Sequence, residues 1–228
     1  GLTPEGTLTT TPANLTVTSR DAQANAGLNL ATGDLTVTGS ALNYTGSQNQ
    51  AQNIALTAKT GDINLSGAQS QAVGQIAITT PASFIHDSLD AEHKAVMQAN
   101  HYAINAGNVS NQGGTIIQTG TNDLTIHTGN LNNQGGQLGG NASNLDLTAT
   151  GDINNQDGML IHTGSGDVRV SGANVNNTRG QLVTNGGLTL NGAGTLTNDA
   201  GVIQATHATV RAGQISNQAS SNQGGLIL

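Results

Sequence analysis

Three histidines and three carboxylates near the middle of the chain are the densest set of side chains that could bind a metal. Imidazole and carboxylate groups are common metal ligands in proteins. The histidines are separated by seven and eight residues, which matches no established helix or finger pattern. A polar, irregular segment explains the set more simply, so we predict no metal and no cofactor. The residues are His86, Asp87, Asp90, Glu92, His93 and His101.

The remaining carboxylates are dispersed along the chain. Enzymes built on parallel β-helices, such as pectate lyases, need carboxylates gathered on one face, usually beside a basic residue. The eleven Asp residues stand largely in Gly-Asp corners such as Gly61-Asp62 and Gly151-Asp152, where an Asx turn accounts for them. We therefore predict that the chain is not an enzyme.

A six-residue phrase recurs in the second half of the chain at a nearly fixed interval. Its first copy is Val109-Ser110-Asn111-Gln112-Gly113-Gly114, and later copies begin at Leu131, Ile153, Val175 and Leu196. The first three steps are 22 residues each, the next is 21, and the step to Ile215 is 19. A period of this size indicates stacked repeats rather than one globular core.

The composition supports a solenoid and excludes several classes of partner. Charged residues make up 8 % of the chain and aromatic residues 1 %, and the net charge is −7. Disorder is disfavoured because the aliphatic residues occur as regularly spaced pairs. Six basic residues against thirteen acidic ones provide no basic patch for nucleic acid. No apolar run approaches the roughly 20 residues that span a bilayer, so no membrane insertion is predicted for this segment.

One repeat reads as one coil of three short strands. After Val109 come the Gly113-Gly114 corner, a second strand at Ile116 and Ile117, and a third strand in which Leu124 and Ile126 share one face. Strands this short are too small for an ordinary sheet but suit a parallel β-helix, where each coil pairs with the coils above and below. We predict an all-β fold, a parallel β-helix of about ten coils with three short strands per coil.

The same positions recur in successive coils. The predicted second-strand column is Ile116, Leu138, Leu160, Leu182 and Ile203. The predicted third-strand pairs are Leu124/Ile126, Leu145/Leu147, Val168/Val170, Leu188/Leu190 and the weaker Ala208/Val210. One Asn occupies the same slot beside the Gly corner in each coil, where stacked amides can bond the amides above and below. This predicted Asn ladder, a structural feature rather than a ligand groove, consists of Asn111, Asn133, Asn155, Asn177, Asn198 and Asn217.

Residues 1–106 are predicted to continue the solenoid with longer, degenerate coils, and residues 107–228 to form the regular repeats of 19–22 residues. The first part lacks the phrase but keeps aliphatic pairs, with residues 46–52 expected to loop out. Its predicted pairs are Leu15/Val17, Leu28/Leu30, Leu35/Val37, Ile54/Leu56, Ile63/Leu65 and Ile76/Ile78. Residues 82–101 are interpreted as a degenerate coil with Ala91 in the Asn slot, Leu89 in the place of Val109, and Val96 in the place of Ile116.

Thr-x-Thr pairs at Thr7/Thr9, Thr16/Thr18 and Thr36/Thr38 raise the alternative of an ice-binding solenoid. Such a protein needs the pairs on one flat face in consecutive coils, and the second half of the chain lacks that register. Outward-facing Thr on ordinary strands is the preferred interpretation.

The phrase Leu131-Asn132-Asn133-Gln134-Gly135-Gly136, followed by Leu138, a polar turn and Leu145-Asp146-Leu147, resembles the haemagglutinin repeats of filamentous haemagglutinin-like exoproteins. These belong to the two-partner secretion pathway of Gram-negative bacteria, which includes the contact-dependent growth inhibition exoproteins. The resemblance covers residues 107–228 well and residues 1–106 loosely. It implies a right-handed parallel β-helix, exported unfolded through an outer-membrane transporter, within a long filament at the cell surface or secreted from the cell.

Two functions are predicted from these observations. The first is a non-enzymatic shaft segment of a longer exoprotein, used for adhesion or for presenting a toxin to neighbouring cells. We expect a segment of a longer protein because Gly1 opens directly into Thr- and Pro-containing sequence, without a signal peptide. The second is a module that binds a host or bacterial cell-surface receptor through loops at the variable corner, such as residues 46–52 and 139–143.

Overall fold

The computed structural model describes residues 14–219 and 225–228, so the Thr7/Thr9 pair lies outside the described residues. The described chain is all-β and contains no helix, and therefore none that is long and apolar enough to cross a bilayer. Parallel strands stack into a solenoid of about ten turns, as the repeat period predicts.

Each coil contributes one strand to each of three parallel sheets, except where long strands run around a corner. The strands are β1 (Leu15–Thr18), β2 (Gln23–Ala24), β3 (Leu28–Leu30), β4 (Asp34–Gly39), β5 (Leu42–Asn43), β6 (Gln48–Ala51), β7 (Asn53–Ala58), β8 (Ile63–Asn64), β9 (Gln69–Ile85), β10 (Val96–Ser110), β11 (Thr115–Gln118), β12 (Leu124–Thr128), β13 (Leu131–Asn132), β14 (Gln137–Gly140), β15 (Leu145–Ala149), β16 (Ile153–Asn154), β17 (Met159–His162), β18 (Val168–Gly172), β19 (Val175–Asn176), β20 (Gln181–Thr184), β21 (Gly187–Thr197), β22 (Val202–Gln204), β23 (His207–Ser216) and β24 (Leu226–Ile227).

The first sheet holds the short strands that precede the Asn corner, among them β13, β16 and β19. The second sheet follows that corner and runs from β3 and β6 through the beginnings of β9 and β10 to β11, β14, β17, β20, β22 and β24. The third sheet contains β1, β4, β7, β12, β15 and β18, together with parts of β9, β10, β21 and β23.

The register in the second half confirms the predicted stacking. Leu131 pairs with Ile153, which pairs with Val175. The predicted column of the second sheet pairs in the same order, from Ile116 with Leu138 onward, and the third-strand pairs also lie in register. These side chains form one buried aliphatic core along the solenoid. The fold follows because each apolar residue packs on its equivalent in the next coil.

The first half continues the same stack without a break at residue 106, because β9 pairs with β10 and β10 pairs with β12 and β13. The pairs of the third sheet give steps of 20 residues from Leu15 to Leu35, 19 to Ile54, 22 to Ile76 and 26 to Tyr102. Only the last step exceeds those of the regular repeats. The division of the chain at residue 106 stays a prediction.

One predicted core pair in this half points the wrong way. Leu28 and Leu30 lie on the outer surface of the second sheet, half-buried, whereas Asn29 between them is buried. A period of two shows which residues share a face but not which face is inside. The buried Asn29 is tolerated because its amide donates to the side-chain oxygen of Asn49 in the next coil at 2.9 Å.

The predicted loop at residues 46–52 is also wrong. Gly46, at φ 70°, is the third residue of a corner turn closed by the Ser47 N–H on the Tyr44 carbonyl, and Gln48–Ala51 is strand β6. Residues 139–143 include the end of strand β14 and bury Ala142, so they do not form a projecting loop either. Within residues 14–219, the largest change in coil length is instead in residues 86–95, between β9 and β10, where Leu89 is 54 % exposed.

The outer surface of the second sheet carries no charged side chain among the described residues, and we call it the Gln/aliphatic face. It contains eight Gln, ten apolar residues and one Thr. Apart from Val73, which lies just beyond the paired rows, they occupy in-register positions along the solenoid, with a gap at Gly139 between Ile117 and Ile161. The face consists of Leu28, Leu30, Gln48, Gln50, Gln69, Gln71, Val73, Val96, Gln98, Thr115, Ile117, Gln137, Met159, Ile161, Gln181, Val183, Val202, Gln204 and Leu226.

The two glycines of the recurring phrase serve different purposes. Gly135 adopts φ 62° with open space around it, and the equivalent position holds Asp157, Arg179 and Ala200 at φ 53–56° in later coils. Gly136 has an ordinary backbone conformation, but a Cβ there would lie 2.1 Å from the Asn111 carbonyl oxygen of the preceding coil. The first glycine therefore relieves backbone strain, and the second permits close approach of two coils.

This difference predicts opposite outcomes for two neighbouring substitutions. We expect Gly136→Ala to lower the free energy of unfolding by about 2–3 kcal/mol, because the added methyl group must push the coils apart. Gly135→Asn introduces a residue that also tolerates the left-handed conformation, so it should lower the free energy of unfolding by less than about 1 kcal/mol. Urea unfolding followed by circular dichroism measures both. Equal losses for the two variants would contradict the assigned roles.

Candidate functional site: the asparagine ladder

The six Asn side chains proposed for the ladder lie one above another at the corner between the first and second sheets. Each Nδ2 donates to the Oδ1 of the next Asn, at 2.8 Å from Asn111 to Asn133 and 2.7 Å from Asn133 to Asn155. The series continues through Asn177 and Asn198 to Asn217, with distances of 2.7–2.8 Å. All members except Asn217 are buried.

The second N–H of each of the five buried amides in the ladder is shared between backbone carbonyls of two coils. Asn133 Nδ2 lies 3.2 Å from the Gly136 carbonyl in its own turn and 3.3 Å from the Met159 carbonyl in the next coil. Asn155 and Asn177 repeat this arrangement with their own partners. The Gly136 carbonyl also accepts the backbone N–H of Met159 at 2.8 Å, so the amide adds a side-chain donor at a corner that the backbone already pairs. The ladder therefore closes the corner and joins consecutive coils.

The ladder begins at His86, which occupies the slot predicted for Ala91. His86 is 0 % exposed, and its Nδ1 lies 2.8 Å from Asn111 Oδ1. Asn111 uses its amide nitrogen for Asn133, so its oxygen must accept and His86 Nδ1 must carry the proton. The interpretation of Ala91 was wrong because Phe84, not Leu89, pairs with Val109, and Met97, not Val96, pairs with Ile116. Residues 89–94 form a projecting segment that shifts the apparent alignment.

Burial lowers the pKa of His86 to about 4, and neither the bond to Asn111 nor the charge of Asp87 offsets this effect. Its Nε2 is buried without a hydrogen-bond partner among the described residues. A second proton would therefore place a positive charge and an unsatisfied N–H inside the solenoid. His86 is the neutral end of the ladder.

Before His86, the same corner slot is filled by Leu65 and Tyr44, both buried. In these coils a different polar column lies on the inner side of the second sheet. Asn29 donates to Asn49, and Asn49 donates to Ser70 Oγ at 3.0 Å. From the next coil onward that column is aliphatic, starting with Met97. The buried polar column thus changes position along the chain.

The histidines and carboxylates near the middle of the chain are not brought together. His93 is exposed and pairs with Asp90 at 2.8 Å, which lowers the pKa of Asp90. Asp87 accepts from Ser110 Oγ and the Gln112 N–H, both at 2.7 Å. His101 lies on β10 with its Nδ1 buried and unpartnered. In residues 14–219 and 225–228 no three His, Asp or Glu side chains form a group suited to a metal.

The corner carboxylates bond between coils rather than within an Asx turn. Asp62 Oδ1 accepts the Ser83 N–H at 2.9 Å, and Asp152 Oδ1 accepts both N–H groups of Asn174, at 3.1 Å from the backbone and 2.8 Å from the side chain. The coil above offers the nearest unpaired donor, because the strands end at these corners. These Asp residues therefore link neighbouring coils by hydrogen bonds.

Comparison with known proteins agrees with this architecture. The chain is similar to Toxin CdiA of Yersinia pestis, with 30 % identity over an alignment of 140 residues. The match covers 49 % of this chain and 4 % of that protein. The chain thus spans a small fraction of the length of this curated relative. No protein-family model and no solved structure matches the chain.

The similarity and the β-solenoid together confirm the resemblance to a CdiA-like or filamentous haemagglutinin-like region. They also fit a non-enzymatic, structural region of such a protein. The geometry of the ladder agrees with this, because its polar atoms are directed at each other and at the backbone rather than at a cleft.

The ladder can be tested by comparing two adjacent asparagines. Asn155→Ala removes a buried amide and leaves the Gly158 and Gln181 carbonyls without their side-chain donor, so we expect a loss of about 2–4 kcal/mol in the free energy of unfolding. Asn154 stacks on Asn132 at 3.2 Å on the outer surface, where water can replace it, so Asn154→Ala should cost less than about 1 kcal/mol. Chemical unfolding measures both losses. A loss for Asn155→Ala that is no larger than the loss for Asn154→Ala would contradict the ladder's role.

The buried state of His86 predicts a loss of stability in mild acid. Because its pKa falls from 6.5 to about 4 on folding, the unfolded chain binds more protons between these values. Stability should be complete above pH 6.5 and decrease by on the order of 3 kcal/mol as pH falls to about 4. His86→Asn, which places an amide at the start of the ladder, should remove this part of the slope. Unfolding curves across the pH range test this, and an unchanged slope would refute it.

Proposed function

We propose that this chain is a non-enzymatic shaft segment of a large secreted or surface-displayed exoprotein, used for adhesion or for presenting a toxin to neighbouring cells. The observation that carries this proposal is the continuous pairing of every coil with the next, from β1 to β24. A stack of about ten coils rising about 4.8 Å each makes a rod on the order of 45 Å long. The similarity to a small part of Toxin CdiA supports a segment of this kind.

The mechanism follows from how the coils are joined. Bending the rod or sliding one coil on the next would break parallel backbone bonds, displace the aliphatic column, and separate the Asn amides at 2.7–2.8 Å. These contacts act together at each interface between coils, so the segment resists bending. A stiff segment holds a distal module at a fixed distance from the producing cell.

The resemblance to two-partner secretion exoproteins supports an outer-membrane transporter as the export partner of the parent protein. A solenoid suits this route because a new coil can pair with the exposed edge of the previous coil as it emerges. Local contacts dominate such folding, so it does not require the whole chain to be present.

A receptor-binding role is the second candidate, and the segment at residues 86–95 favours it. Within residues 14–219 this is the longest interval between strands, and it exposes Leu89, Glu92 and Lys94. Projecting segments on a rigid scaffold are common sites of recognition. This segment replaces the two corner loops considered from the sequence.

The spacer can be tested by measuring length. The chain has no Cys, so Thr36→Cys and Thr189→Cys accept fluorophores at two outward positions of the third sheet, seven coil steps or about 34 Å apart. Deleting residues 131–152 removes one whole coil and should shorten the distance by about 5 Å while the fold is retained. Deleting half of that coil should disrupt the fold.

Energy transfer between the fluorophores measures the change, and circular dichroism monitors the fold. An unchanged distance after deletion of a whole coil would contradict the spacer. Binding of the labelled chain to host or bacterial cells tests the second candidate. Saturable binding that is lost when the exposed residues 89–94 are shortened would favour the receptor-binding role.

A further inference from the structure

In the described part of the chain, the Gln/aliphatic face combines a lack of charged side chains with outward aliphatic residues. The outward positions of the first sheet, such as Asn132 and Asn154, are also uncharged, but they are polar and Asp152 lies beside them. The third sheet presents Asp146, Arg169 and Arg211 outward, and the other charged groups lie at corners or in residues 86–95. On the Gln/aliphatic face, in contrast, apolar side chains alternate with Gln. Aliphatic residues directed outward in so many coils are unusual for a surface that meets only water.

Part of this face is shaped as a shallow groove. Leu30, Gln50, Gln71 and Val73 line it, with Val73 70 % exposed, and a second groove follows beside Leu28, Gln48 and Gln69. Further along, Ile117, Ile161 and Val183 continue the apolar strip at half-buried positions. The strip therefore extends along the solenoid and has grooves, and a gap at Gly139, into which side chains from another surface could fit.

We propose that this face is a lateral interface on which a second copy of the chain packs side by side. Electrostatics favour this face for contact between two copies, because each copy carries a net charge of −7 and an approach through a charge-free side buries no like charges. The proposal concerns association between shafts, and it does not depend on what the parent protein presents.

The periodicity of the face also suits a second copy. Both copies have the same rise of about 4.8 Å per coil, so the rows of side chains can interdigitate along the whole length. Gln offers both a donor and an acceptor, so an identical residue satisfies it in a two-fold contact. A partner of unrelated structure would lack this match of spacing.

The area of the strip determines how strongly two copies are expected to associate. Ten strands span about 43 Å and present a width of about 11 Å, which gives on the order of 1,000 Å² buried in total by two copies. This is the lower limit for a specific interface, so we expect a weak, concentration-dependent dimer. In a longer parent protein, a longer strip of this kind would strengthen the association.

Sedimentation analysis of the full chain over a range of concentrations tests the interface with matched variants. Gln50→Lys and Ile161→Lys place a positive charge on the face, whereas Ser171→Lys makes the same change in net charge on the outer surface of the third sheet. We expect the average mass of the unmodified chain and of Ser171→Lys to rise with concentration. The two face variants should remain monomeric, with unchanged circular dichroism spectra.

The proposal is overturned if the unmodified chain stays monomeric throughout, or if all three variants behave alike. Association that persists in Gln50→Lys and Ile161→Lys would instead indicate end-to-end stacking of coils. Binding of the monomer to vesicles of neutral phospholipid, without self-association, would assign the face to a lipid surface and also defeat the proposal. Should one variant fail to fold, the other still decides the outcome.

Discussion

The parallel backbone pairing of each coil with the next is the constraint on which the rest of this structure depends. It places every residue about 4.8 Å from its equivalent in the coils above and below, so each inward position becomes a column of similar side chains. A buried column can be apolar, or it can consist of groups that satisfy each other. Asn meets the second condition, because its amide both donates and accepts, as between Asn133 and Asn155. A column of carboxylates would repel itself.

The choice of Asn at the corner also explains the glycine that follows three residues later. In the coil of Asn133 that residue is Gly136, where a Cβ would lie 2.8 Å from Asn133 Oδ1 and 2.1 Å from the Asn111 carbonyl oxygen. In the earlier coils, where the slot holds Tyr44 or Leu65, the corresponding residues are Ser47 and Ala68. The amide draws the coils together over the turn, so the Asn and the glycine are coupled by geometry rather than by propensity alone.

Sequence patterns predicted most of the strand register in the second half. The phrase that begins at Val109 identifies the strand, the corner that follows it and the side chains that point inward. Sequence patterns failed in the first half for a physical reason. Leu28-Asn29-Leu30 has the same alternation as a core strand. The direction in which its side chains point depends on the preceding corner, and the first half lacks the recurring phrase that would locate this corner. At residues 86–95 the inserted segment displaced the apparent alignment, so His86 was placed in a polar, irregular segment rather than in the ladder. No sequence signal identifies His86 until the register of Phe84 with Val109 is known. The charge-free face, in turn, emerges only when the outward positions of all coils are aligned.

The coil around His86 shows how the solenoid accommodates a change in the residue types of its buried columns. Here the corner column changes from Leu65 to His86 and then to Asn111, while the column of the second sheet changes from Ser70 to Met97. The amide bonds between coils are therefore fewest at this point, and one nitrogen of His86 is unpaired. The same interface carries the longest backbone pairing, since β9 and β10 continue around two corners, from Gln69 with Val96 to Ile85 with Ser110. Continuous backbone bonds thus replace the missing side-chain bonds where the polar column shifts, which allows the solenoid to change its internal pattern and still present one unbroken rod.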